Sequence, residues 1–168
     1  MYALRFVWSS TEVTALVKPS AGLLIYRFKG NSVEVFLVHP GGPFWHKKDA
    51  LSWSIPKGEY TNEDPLAAAR REFKEETGFE PPEGRSDNLH PIKQPSGKVI
   101  SAWAIEGDVD ASKAKSNSFT IEWPPRSGRH EQFPEIDKAG WFDLESAKQK
   151  IIRGQAGFLE ELQKLLSV

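Results

Sequence analysis

Residues 58–79 read GEYTNEDPLAAARREFKEETGF, and the run from Arg71 to Phe79 within them decides how the whole chain is understood. At about 100° per residue, Glu76 projects roughly 40° from Glu72 and Glu75 roughly 60° to the other side. Three carboxylates thus share one side of a helix and can converge on one hard cation. Leu66, Ala69, Phe73 and Thr77, at i, i+3, i+7 and i+11, form a mostly apolar stripe about a quarter turn away. The spacing predicts a helix over 65–77 that buries one face and presents another. Its ends are marked: Asp64-Pro65 supplies an N-cap and a proline at the first helical position, and Gly78 suits the left-handed residue after the last turn. Glu, Lys and Arg crowded on a helix are ordinarily only a solvated face, so periodicity alone leaves the acidic side open to either reading.

The length of the pattern separates the two. Gly58, then Glu63, seven intervening residues, and Arg71, Glu72, Phe73, Glu75, Glu76, Gly78 and Phe79 resemble the signature of the Nudix hydrolase family, G-x5-E-x7-R-E-U-x-E-E-x-G-U, with U aliphatic or aromatic. The lead-in Ile55-Pro56-Lys57-Gly58 is similar to that of members acting on diadenosine tetraphosphate and related polyphosphates. One departure is visible: four residues, where the family has five, link Gly58 to Glu63.

The resemblance implies an α/β/α sandwich with a mixed β-sheet, an α+β (mixed α/β) fold in which the signature helix packs on the sheet. It implies attack of water on a phosphorus of a nucleoside diphosphate linked to another moiety, a dinucleoside polyphosphate first. Nucleoside triphosphates, ADP-ribose and diphosphoinositol polyphosphates stand behind it. By the same resemblance Glu72, Glu75 and Glu76 are ligands for Mg2+ or Mn2+, with the Gly58 carbonyl as a further ligand and Glu63 in support. Glu72 and Glu75 count as catalytic, together with a glutamate from a late loop acting as additional ligand or general base. Glu135, six residues before Trp141, fills that place, and Glu131 competes with it. The alternative is a catalytically silent Nudix-fold module that binds nucleotide or regulates; loss of signature carboxylates would betray it, and here all are present.

An acidic motif does not attract a polyphosphate unaided, so cations must accompany it. Lys57 abuts the motif, His46, Lys47 and Lys48 precede it, and Arg126, Arg129 and His130 follow Trp123-Pro124-Pro125. Lys57, Arg126 and Arg129 are the candidates for phosphate. Six tryptophans are many for this length. Phe44 and Trp45, in a loop, are candidates for stacking on a base, as is Trp123 beside one, whereas Trp53, Trp103 and Trp141 in strand-like runs belong to the core. No two histidines have ligand spacing, so they are expected as ordinary loop residues.

Composition bounds the rest. A length of 168 residues suits one domain with a single core; residues 18–168 are expected to form it, and residues 1–17, where Leu4, Phe6 and Trp8 alternate, an N-terminal extension or accessory strand. The net charge of -1 gives no footprint for polymeric nucleic acid, although residues 1–57 carry seven Lys/Arg against three Asp/Glu and residues 58–84 three against eight. No run reaches the roughly 18 apolar residues of a membrane span, and no leader pattern opens the chain. A cytoplasmic protein is expected, monomer or homodimer, with a small-molecule nucleotide or polyphosphate as partner. Without cysteine, disulfides and thiol catalysis are excluded.

Along the chain, Ala21–Phe28 and Val33–His39 predict a hairpin around Lys29-Gly30-Asn31-Ser32. A turn-rich loop follows over 40–52, then a short extended piece over 53–56. Val99–Glu106, Phe119–Trp123 and Ala139–Phe142 predict strands, and 144–152 and 155–166 helices. Residues 80–98 and 107–118 are polar and expected as loops.

Overall fold

The computed structural model describes residues 17–168, and the alternation of Leu4, Phe6 and Trp8 lies outside them. The expected hairpin is the centre of the fold. Strand β1 (Ser20–Lys29) turns at Gly30, φ 59°, into β2 (Ser32–Pro40), with Lys29 opposite Ser32 and Tyr26 opposite Val35. Strand β3 (Lys57–Glu59) pairs antiparallel with the start of β1. The helix α1 (Pro65–Thr77) follows, then β4 (Ser86–Asn88), β5 (Ile92–Lys93) and β6 (Val99–Glu106). Strand β6 lies parallel to β1, Ile100–Glu106 opposite Ser20–Tyr26, whereas β4 and β5 run antiparallel to β6. Strands β7 (Ser118–Glu122) and β8 (His130–Pro134) form a separate two-stranded arm, and β9 (Ile136–Asp143) returns to the main sheet beside β2. The main sheet runs β4-β6-β1-β2-β9. Helices α2 (Leu144–Lys150) and α3 (Ala156–Leu166) close the chain.

Alternation along the strands sorts the core into two layers. Ala21, Leu23 and Ile25 of β1, with Phe36 and Val38 of β2, face Ala68, Ala69 and Phe73 of α1. Leu24 of β1, with Val35 and Leu37 of β2, faces Ala147 of α2 and Phe158, Leu159 and Leu162 of α3. Helix layers thus cover both faces of one mixed sheet, the α/β/α order expected. Phe73 is fully buried against Phe36, ring centroids 6.2 Å apart, a burial contributing about 1.5–3 kcal/mol. The caps of α1 form as the sequence predicts: the Asp64 side chain accepts from the Ala67 N–H at 3.0 Å, and Gly78, φ 77°, donates to the Lys74 carbonyl.

Three expectations need correction. Residues 80–98 are not all loop, because β4 and β5 lie in them; these strands are short edge pieces without apolar alternation, so the polar, proline-rich text conceals them. Residues 107–118 contain a single 3-10 turn over Ala111–Lys113. The last strand begins three residues before Ala139, at Ile136, where β9 passes a bulge opposite His39 and Pro40.

Candidate active site

Strand β3 and helix α1 meet at Gly58. In the β1–β3 register Gly58 lies opposite Ala21, which faces α1, and Lys57 opposite Gly22, which faces away. The Glu72 carboxylate occupies the space over Gly58: a Cβ there would stand 2.0 Å from Glu72 Oε2. Only hydrogen fits. One residue earlier, the Lys57 backbone N–H donates to Glu76 Oε2 at 3.1 Å. Two signature carboxylates therefore lie against the strand that carries the signature glycine. The four-residue link to Glu63 turns through Asn62 in the left-handed region, φ 52°.

Arg71 gathers the remaining carboxylates. Its guanidinium donates to Glu63 at 2.5 Å, to Glu72 Oε1 at 2.7 Å and to both oxygens of Glu75 at 3.2 Å. Glu75 is therefore drawn outward, 44% exposed, while Glu72 is held at 13%. The expected convergence of Glu72, Glu75 and Glu76 is not realised: among the described residues no three His, Asp or Glu side chains stand close enough to form a ready metal cluster. Three like charges separate when a guanidinium is available to some of them.

The electrostatics single out the inner pair. Burial raises Glu72 above the ordinary carboxylate range although Arg71 pulls it down, and the charges of Glu75 and Glu135 add to the rise. Burial pushes Glu76 up to about 7 against the Lys57 N–H bond and ammonium, with Glu72 and Glu135 adding to it. Burial likewise lowers Lys57, against the pull of Glu76. Glu72 and Glu76 are thus carboxylates with too little positive charge around them. Such an all-oxygen donor set, beside a strand position stripped to hydrogen, fits a hard divalent cation such as Mg2+ or Mn2+.

The late glutamates part company. Glu135 follows the β7–β8 arm, its carbonyl accepting from the Gly41 N–H at 2.9 Å and its own N–H donating to Asn117 at 2.8 Å. Its charge reaches both Glu72 and Glu76. Glu131 lies on the arm opposite Ile121.

The aromatic and basic candidates stand along this arm. Phe44, 62% exposed, meets Trp123 edge to face with ring centroids 5.3 Å apart. Trp45 is half-buried beneath the Lys48 ammonium, 4.8 Å from its ring centroid. Arg126, φ 61°, and Arg129 are exposed at the tip. Strand β8 separates Arg129 from Glu135, a reach of roughly 17 Å for five extended residues, so these arginines are not brought to the carboxylates. Trp53 is buried, but Trp103 and Trp141 are only half-buried. Two participants have no signal in the motif: Lys98, which donates to Glu59 at 2.6 Å and crowds Lys57, and His39, which lies in the expected strand β2 and is fully buried there. A hollow of about 730 Å3 lies at the far end of β1, lined by Tyr26, Phe28 and Arg85, away from this chemistry.

With this geometry in place, the comparisons with known proteins are informative. A family model described as NUDIX domain matches residues 16–162. No curated protein matches the chain in sequence. Among solved structures, a Caenorhabditis elegans Ap4A hydrolase binary complex is similar, with TM-score 0.60 at 22% identity over 88% of this chain and 98% of that one. The NUDIX domain of Shewanella oneidensis NrtR complexed with ADP ribose gives 0.60 at 14% identity, covering 90% of each chain. The C-terminal domain of mouse MUTYH, in complex with human PCNA, gives 0.55 at 16% identity over 89% of this chain and 91% of that one. At these identities the likeness speaks for the fold.

Proposed function

We propose that this chain, which belongs to the NUDIX domain family and is a Nudix pyrophosphohydrolase, cleaves a phosphoanhydride bond in a nucleoside diphosphate linked to another moiety, a dinucleoside polyphosphate first, with Mg2+ or Mn2+ as cofactor. The observation that carries this reading is the seating of Glu72 over Gly58 with Glu76 on the adjoining backbone, two half-buried carboxylates whose desolvation raises their pKa.

Glu72 and Glu76 with the Gly58 carbonyl would hold the cation, and Glu75 would join them on leaving Arg71. When bound, it supplies positive charge to the phosphoryl oxygens and acidifies water. Glu135 takes the proton of the attacking water as the new P–O bond forms and the anhydride P–O bond breaks, the departing phosphate carrying the electron pair. Lys57, whose charge is felt by Glu76 and Glu72, supplies positive charge beside the metal loop. Arg71 orients Glu72 and keeps Glu63 and Glu75 compensated. Phe44 and Trp45 offer faces for a base, and Arg126 and Arg129 charge for the distal end of a long substrate.

The test is a panel of nucleotides, dinucleoside polyphosphates and ADP-ribose assayed with Mg2+ for wild type, Glu75→Gln and Glu76→Gln. Metal-dependent cleavage that both substitutions suppress is expected. Cleavage that survives both would remove these carboxylates from the chemistry. Binding of a nucleotide without turnover by wild type would leave a silent binding module.

A further inference from the structure

The segment that delivers Glu135 and the loop that carries Phe44, Trp45 and Lys48 come from opposite ends of the sequence, yet one buried side chain touches both. His39, 0% exposed, lies near the end of β2. Its Nδ1 is 2.7 Å from Asp137 Oδ1, two residues after Glu135, and its Nε2 is 2.6 Å from the Lys48 carbonyl. A carbonyl only accepts, so Nε2 carries a hydrogen and donates it to Lys48, while Nδ1 faces the Asp137 carboxylate. The ring is packed edge to face on Trp53, centroids 5.3 Å apart, and the Trp53 indole N–H donates to Asp49 at 2.9 Å. The imidazole therefore has little freedom to turn.

The backbone explains why Asp137 is available. In the β2–β9 pairing His39 stands opposite Lys138 and Pro40 opposite Ile136, which leaves Asp137 as the extra residue of a bulge. Bulges re-aim side chains and end regular pairing beside functional sites. Immediately beyond, the Gly41 N–H bonds the Glu135 carbonyl at 2.9 Å, and a Cβ on Gly41 would collide with the Pro134 carbonyl at 2.0 Å. The Glu135 backbone is thus pressed against the start of the aromatic loop, with His39 directly behind the junction.

We infer that His39 is a positioning residue for the proposed hydrolysis, with Nδ1 holding Glu135 in place through Asp137 and Nε2 holding the aromatic loop through Lys48. The inference rests on the reading of Glu135 as the base and of Phe44 and Trp45 as substrate contacts. Its two arms separate because asparagine can replace the Nδ1 contact and glutamine the Nε2 contact. A buried histidine that served packing alone would not distinguish them.

The experiment measures kcat and KM for diadenosine tetraphosphate with Mg2+ in wild type, His39→Asn, His39→Gln, Glu135→Gln and the double variant His39→Gln/Glu135→Gln. Amide hydrogen exchange over residues 41–48 and 134–138 is followed in parallel. His39→Gln is expected to lower kcat about tenfold or more with KM nearly kept and faster exchange over 134–138. His39→Asn is expected to raise KM with kcat nearly kept and faster exchange over 41–48. In the Glu135→Gln background His39→Gln costs under about twofold more, since residues acting as one unit are not additive. Equal changes of kcat and KM in both variants, or full additivity with Glu135→Gln, would overturn the inference. Should a His39 variant fail to fold, Asp137→Asn reads the kcat arm alone with the same expectation. If Glu135→Gln leaves kcat at the wild-type value, the assignment of the base has failed, which is distinct from a failed His39 split.

Discussion

Glu72 lies over Gly58 so closely that a single methyl group at Gly58 would stand 2.0 Å from its carboxylate oxygen. The glycine is therefore a statement about the carboxylate: β3 leaves room for an oxygen where any other residue would place carbon. Because Gly58 has an ordinary backbone conformation, outside the left-handed region, the requirement is one of space.

Gly58→Ala is expected to displace the Glu72 carboxylate while leaving the sheet intact. A shift near 1 Å at a reacting group can cost about 100-fold, and overpacking a tight site about 1–3 kcal/mol. Turnover should thus fall far more than the denaturation midpoint moves; equal loss of both would show that the contact is merely structural.

In the metal-free protein, Glu76 makes stability depend on pH. Burial raises its carboxyl from the ordinary 4.5 to about 7 on folding, so between those values the folded state holds more protons than the unfolded one. Stability then falls as pH rises from about 4.5 to about 7 and levels off above, an effect of roughly 3 kcal/mol at most. Thermal unfolding of wild type against Glu76→Gln should show this slope in the first and not in the second. Added Mg2+ should stabilise wild type more at pH 8 than at pH 5, since a cation binds the ionised form.

Arg71→Met removes the shared partner of Glu63, Glu72 and Glu75. The guanidinium is 38% exposed, so the ion pairs themselves contribute little, about 1 kcal/mol or less to stability. Freed carboxylates repel and Glu72 loses its orientation, which predicts a fall in kcat of about tenfold or more with a melting temperature within a few degrees of wild type. Kinetics and calorimetry on the same preparation check both halves.

Phe44 and Trp123 form an exposed edge-to-face pair. Phe44→Ala and Trp123→Ala should each raise KM for a dinucleoside polyphosphate, by the about 1–3 kcal/mol that a base–aromatic stack supplies, and leave inorganic tripolyphosphate, which has no base, unaffected. An equal rise for both substrates would place the pair outside substrate binding.

How much of this was legible in the sequence depends on which physical signal each part leaves. Helix α1 has caps, periodicity and a burial stripe, and it forms where those place it, although Ala68 rather than Leu66 completes its buried face. Strand β6 alternates and is found at Val99–Glu106 as expected. Strands β4, β5 and β8 were hidden because edge pieces with exposed faces carry no alternation. At the site, helix geometry placed Glu72, Glu75 and Glu76 on one side and set Arg71 four residues before Glu75, within pairing reach, but it did not show that the same guanidinium also takes Glu63 and Glu72. Glu135 and Glu131 were separated only by tertiary placement. His39 was read as a strand residue, but its contacts left no trace, since its partners are nine and ninety-eight residues distant.

The most direct measurement is the Mg2+-dependent turnover of diadenosine tetraphosphate by Glu72→Gln, an isosteric change that keeps the side chain over Gly58 and removes its charge, made alongside a Mg2+ titration followed by thermal stability. Loss of turnover by about 100-fold or more, with an unchanged metal-free fold and a weakened stabilisation by Mg2+, is what a carboxylate holding the cation at Gly58 requires. Turnover within about threefold of wild type, with Mg2+ stabilisation intact, would contradict it.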